Sequence, residues 1–156
     1  MKTGTSNSIH LIAAVILAAI LNSCARPASE EQYVNDREVD AYGQYVFEVD
    51  LSEPLRSYDL SLGVNLTCDD QEFTRFDHLP LHIVWQSPTD SLYEEDVFLN
   101  RDCHIGGDFH TKQLMSLYRK ELIPKERGIW NIKVSVPDSC AYSDELQGVA
   151  LRLLRN

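Results

Sequence analysis

Nowhere in its 156 residues does the chain hold an apolar run able to cross a bilayer. The longest, Leu11 to Leu21, is uncharged but spans eleven residues, against the roughly 18 or more that a spanning helix needs. Basic residues are also scarce. Fourteen Lys and Arg stand against 24 Asp and Glu, a formal net charge of −10, which argues against nucleic acid or anionic headgroups as partners. The ordinary consequence of such acidity is solubility. Long helical patterns, internal repeats, Gly-x-Ser-x-Gly, His-Glu-x-x-His and phosphate-cradling glycine loops are missing as well.

What is present begins with an address. Lys2, the apolar run and a small residue, Ser23, are the parts of a secretory signal, followed here by Cys24. Leu21-Asn22-Ser23-Cys24 resembles the lipobox of bacterial lipoprotein precursors, in which the cysteine is acylated and becomes the mature N-terminus. The plainer alternative is an ordinary secretory signal cut nearby, with Cys24 a free or bridged thiol; the lipobox match favours lipidation. Two or three acyl chains anchor a protein stably where one is marginal. The resemblance therefore implies a chain anchored to a membrane rather than spanning it. Ala25-Arg26-Pro27 carries no aspartate of the kind that retains enterobacterial lipoproteins at the inner membrane, which favours the outer membrane; Ser29-Glu30-Glu31 weakly resembles the acidic export signal of surface lipoproteins but lies several residues too far from Cys24, which favours the periplasmic face over the surface.

Removal of residues 1–23 leaves 133, one domain's worth. Residues 24–41 are polar and acidic, and read as an acylated N-terminus and flexible tether; the folded domain is expected over 42–156. From Tyr42 the period is two. Tyr45, Phe47, Val49 and Leu51 form one inward set, and Tyr58, Leu60, Leu62, Val64 and Leu66 a cleaner one. Ser52-Glu53-Pro54 separates them. Further strands are expected through Leu81–Trp85, Tyr93–Leu99, Trp130–Val136 and Val149–Leu153, with a loop over Asn100–Phe109. Lys112–Leu122 is ambiguous: Leu114, Leu117 and Tyr118 have helical spacing, but Leu117–Leu122 leads into Pro124 as a strand would. The sum is an all-β, antiparallel β-sandwich of about seven to eight strands.

Beyond Cys24, three cysteines remain, enough for one disulfide and one leftover thiol. Cys68 continues the inward phase of its strand and Cys140 lies on the phase of the Trp130 strand, so Cys68–Cys140 is the favoured pairing, with Cys103 left over. Asp102, Cys103, His104, Asp108 and His110 include zinc-ligand types but match no compact ligand spacing, and read as a polar surface loop; no metal or cofactor is expected. Asp69, Asp70, Glu72 and Asp77 do not match an EF-hand and read as an acidic turn. His78 and His82 read as structural or solvated. Tyr58, Phe73, Phe76, Trp85, Tyr93, Tyr118 and Trp130 read as core, and any found exposed would mark a docking patch.

From about Tyr45 to Arg155 the chain resembles the gliding-motility lipoproteins of the GldH type from Bacteroidetes. The carriers are the lipobox, the segment Tyr58–Leu66, the aromatic turn around Phe73 and Phe76 leading to Leu81-His82-Ile83, Gly128-Ile129-Trp130, and the ending Leu146-Gln147-Gly148-Val149-Ala150-Leu151-Arg152-Leu153. The chain departs from that pattern in its three further cysteines and in Thr67-Cys68-Asp69-Asp70. The resemblance implies a non-enzymatic component of the gliding or type IX secretion machinery, with other envelope lipoproteins as partners. The alternative is a glycan-binding or nutrient-uptake lipoprotein, which would present two or three coplanar exposed rings.

Overall fold

The computed structural model describes residues 28–156. The leader and Cys24, with their expected cleavage and acylation, lie outside the described residues. Among the described residues there are nine strands: β1 (Ser29–Asn35), β2 (Tyr45–Asp50), β3 (Tyr58–Thr67), β4 (His78–Gln86), β5 (Leu92–Asn100), β6 (His104–Gly107), β7 (Thr111–Leu122), β8 (Ile129–Ser135) and β9 (Leu146–Arg155). They form two antiparallel sheets, ordered β1-β9-β3-β7-β6 and β2-β8-β4-β5. The all-β sandwich is as expected. Among the described residues, no helix is long and apolar enough to cross a membrane.

Alternation builds the core. Tyr58, Leu60, Leu62 and Leu66 of β3 are fully buried and join Phe47, Ile83 and Ile132 from the other sheet in one cluster. Each such side chain contributes about 1.5–3 kcal/mol on leaving water. Their outward neighbours Asp59, Ser61 and Asn65 remain partly wetted.

The structure corrects the expected tether. Residues 29–35 form β1, paired along its length with β9 from Ser29 opposite Leu154 to Asn35 opposite Gly148, so the folded domain begins well before Tyr42. Side-chain ties reinforce the backbone ladder: Arg152 Nη2 lies 2.7 Å from Glu31 Oε2, its cross-strand partner, and Arg155 Nη2 lies 2.9 Å from Glu30 Oε2. Close approach explains Gly148. A Cβ there would lie 2.4 Å from the Tyr33 hydroxyl and 2.5 Å from the Val34 carbonyl oxygen.

Other departures are local. The acidic turn contains a helix, α1 (Asp70–Arg75), started by a capping box in which Asp69 accepts from the Glu72 N–H at 2.7 Å and Glu72 accepts from the Asp69 N–H at 3.0 Å. The expected loop after Asn100 holds a 3-10 turn at Arg101–Cys103 and then β6. Lys112–Leu122 lies wholly within β7. Cys68, Cys103 and Cys140 are all free thiols, so the bridge expected between Cys68 and Cys140 is not formed here. Cys68 is buried at the end of β3, as its inward phase required.

Register sorts the connections to two ends of the sandwich. Ser29 pairs beside Leu154, and Tyr58 pairs with both Leu122 and Arg155. Segments 51–57, 87–91 and 123–128 therefore share one end with the start of β1; we call it the entry end. Two hydrogen bonds link these loops: Leu51 N–H to the Gly128 carbonyl at 2.9 Å, and Thr89 Oγ1 to Glu126 Oε2 at 2.6 Å. Segments 36–44, 68–77, 101–110 and 136–145 lie at the far end.

Candidate functional site

β6 pairs only with Lys112–Leu114 of β7, so the remainder of β7 is a sheet edge beside β5, the edge of the other sheet. Between these edges the sandwich is open. Register shifts opposite Tyr58–Ser61 break the alternation of β7, and bulges of this kind re-aim side chains. Leu117 is left exposed, while Tyr118 and Arg119 reach toward the cleft.

The cleft encloses about 440 Å³, within the range of small-ligand and side-chain pockets. Its wall is mainly apolar: Leu51, Trp85, Leu122 and Trp130 inside, with Tyr93 and Ile123 at the rim. Trp85 and Trp130 meet edge to face, their centroids 5.8 Å apart at 80°, a favourable aromatic geometry. Both are only 7% exposed, whereas Tyr93 is 50% and Ile123 75% exposed.

One polar network borders this wall. Trp85 Nε1 donates to the Tyr118 hydroxyl at 2.7 Å. That hydroxyl donates to Glu95, which also accepts from Arg119, and the Arg119 guanidinium lies 4.9 Å from the Tyr118 ring centroid. Burial raises the Tyr118 pKa well above the ordinary phenol value, and the Glu95 hydrogen bond adds to the rise. Burial pulls Arg119 downward, but its hydrogen bonds to Glu95 and Tyr118 and their charges together outweigh this and the net shift is upward. The network thus holds Tyr118 neutral and Arg119 charged. It offers shape and a fixed ion pair to whatever enters.

Of the aromatics expected in the core, Tyr58, Phe76, Trp85 and Trp130 are buried, and Phe73 and Tyr118 partly so. Tyr93 is the departure, because it sits on an edge strand over the open cleft. Trp130 Nε1 donates to the Glu126 carbonyl at 3.0 Å, fixing the indole beneath the β7–β8 loop.

The remaining candidates are dispersed into local roles. Asp108 accepts from the His110 and Thr111 backbone N–H groups, both at 2.8 Å, and these bonds lower its pKa. Cys103 Sγ contacts Asn100 Oδ1 at 3.5 Å, and the His104 ring lies 5.0 Å from Phe73. Among the described residues, no group of three or more His, Cys, Asp or Glu is placed to hold a metal. His78 and His82 meet Asp77 and Asp96 through Nδ1 at 2.8 and 2.9 Å. Asp70 Oδ1 lies 3.0 Å from Lys112 Nζ. That lysine is 4% exposed and also donates to the Asp108 carbonyl at 2.5 Å, clipping α1 to the β6–β7 turn.

Sequence reasoning did not single out Arg119 or Ile123. A bare isoleucine before Pro124 at the end of a strand was the available signal for the rim; nothing in the period announced that Arg119 faces Glu95.

No family model matches the chain, and no curated protein matches it. Among solved structures, a crystal structure of a protein from Sulfurospirillum deleyianum is similar at a TM-score of 0.35 and 9% identity, over 84% of this chain and 99% of that one. A likeness that distant carries no argument about fold or function.

Proposed function

We propose that this chain is a lipid-anchored, non-enzymatic component of the cell envelope that docks partner proteins of the gliding-motility or type IX secretion machinery. The reading rests on the lipobox at Cys24, the resemblance to GldH-type lipoproteins, and one structural observation that carries it: the apolar cleft between β5 and β7. Trp85 and Trp130 line its interior, and Tyr93 and Ile123 stand exposed at its mouth. Aromatic and aliphatic anchors seated in such pockets dominate protein interfaces. A partner loop bearing one large apolar side chain fits this cleft, with Glu95 and Arg119 available to its polar backbone.

A glycan platform draws less support. Tyr93 lies at 33° to Trp130, and Trp130 is almost wholly buried, so the pair presents one ring rather than a flat surface.

The test is affinity capture of the acylated protein from detergent-solubilised envelopes, in parallel with a Tyr93→Ala variant. Co-purification of motility or secretion lipoproteins with the wild type, and their loss with the variant, is the expected result. Retention of polysaccharide-uptake components instead, or an unchanged set of partners with the variant, overturns the reading.

A further inference from the structure

The end at which the chain enters the sandwich is unlike the opposite end in both charge and apolar exposure. The far-end segments 36–44, 68–77, 101–110 and 136–145 together hold twelve Asp and Glu against three Arg and no Lys. The entry-end segments 51–57, 87–91 and 123–128 hold three of each sign. The far-end loops thus carry nine more acids than bases, and the entry-end loops are balanced.

The three acids of the entry-end loops are engaged. Glu53 Oε2 lies 3.3 Å from Arg56, Glu126 accepts from Thr89, and Asp90 accepts from Gln86 at 2.9 Å. Lys125 and Arg127 are exposed and take part in none of these contacts.

Between them stand two bare apolar side chains. Leu55 is 99% exposed and Ile123 75%. Leu55 also adopts a positive φ of 63°, a conformation that disfavours a leucine. Neither packing nor backbone geometry within the described fold accounts for a leucine at that tip.

The sequence fixes how far this end stands from Cys24. Only residues 25–28 separate Cys24 from β1, and the Arg155 N–H already donates to the Ala28 carbonyl at 2.7 Å. Four residues reach about 14 Å at full extension. A lipid on Cys24 therefore holds the entry end within reach of the headgroup layer, where a longer tether would have let the domain tumble.

We propose that the entry end is a bilayer-facing surface: Leu55 and Ile123 enter the interfacial layer of the membrane that holds the Cys24 lipid, and Lys125 and Arg127 meet its headgroup phosphates. This rests on acylation of Cys24. Amphipathic side chains suit this depth, since Lys and Arg extend their charges to the headgroups while their stems cover apolar surface. The acidic far end then points away from the bilayer, and the cleft opens sideways near the membrane surface.

The experiment uses the full acylated chain reconstituted in vesicles of phosphatidylethanolamine and phosphatidylglycerol, with a genetically encoded benzophenone replacing Leu55, Ile123, Tyr42 or Phe109 one at a time. The last two are exposed apolar positions at the far end. After irradiation, mass spectrometry counts lipid adducts; yields at positions 55 and 123 roughly tenfold above those at 42 and 109 are expected for groups in the interfacial zone. Vesicle flotation is measured on the same samples. Protein that floats but gives no lipid adducts at 55 and 123, or equal yields at both ends, overturns the orientation and leaves the anchor standing. Protein that fails to float overturns the anchor, and this proposal with it.

Discussion

Tyr118→Phe removes a single oxygen from the centre of the cleft network, and its cost follows from what that oxygen does. Trp85 Nε1 loses its acceptor at 2.7 Å, on an indole that is 7% exposed. Glu95 loses one donor but keeps Arg119. A buried donor left without a partner costs about 1–3 kcal/mol; water entering the cleft offsets part of that, so we expect about 1–2 kcal/mol. The corresponding drop in Tm is about 3–8 °C for a domain of this size.

Alkaline pH distinguishes this network from simple packing loss. The folded Tyr118 pKa lies above its unfolded value, so the fold retains a proton that the unfolded chain releases. Its contribution to stability is present below pH about 10 and is lost as pH rises toward the folded pKa. Phenylalanine has no such proton. Urea titrations of the detergent-solubilised full-length protein should therefore show the gap between wild type and variant narrowing above pH about 10. No loss at neutral pH, or a gap that widens with alkalinity, refutes the reasoning.

Three further substitutions test other parts of the fold. Gly148→Ala places a methyl group against Tyr33 and the Val34 carbonyl, and a cost of about 1–3 kcal/mol is expected by equilibrium unfolding, with faster amide exchange in β1. Leu62→Ala, at a fully buried position of β3, should cost about 2–5 kcal/mol in the same titration. Asp69→Ala removes the cap of α1 and should cost about 0.5–2 kcal/mol, with protection lost in residues 70–75 and not in β3.

Strands that pack one face on the core were legible in the sequence because burial imposes a period of two. β3 is the clearest case, and β2, β4, β8 and β9 follow it. β1 was not legible for a physical reason. It is an edge strand, held by its ladder to β9 and by Glu30 and Glu31 to arginines, and it buries too little apolar surface to write an alternation. β7 was ambiguous because its bulges shift Leu117 and Tyr118 out of phase, which imitates helical spacing. α1 buries no residue, so no apolar period marked it and the segment read as an acidic turn. The cleft combines both situations. Trp85 and Trp130 were read from their strands as core, and the opening beside them depends on β6 being short, which no local pattern records.

The proposed envelope role and the bilayer-facing orientation both depend on the state of Cys24. Mass spectrometry of the mature N-terminal peptide, recovered from membranes of cells producing the native chain and from cells producing Cys24→Ser, measures it directly. A peptide beginning at Cys24 and carrying diacylglycerol on sulfur is expected, with release of the serine variant from the membrane fraction. A native peptide whose cysteine is unmodified, from a protein recovered in the soluble fraction, contradicts both readings.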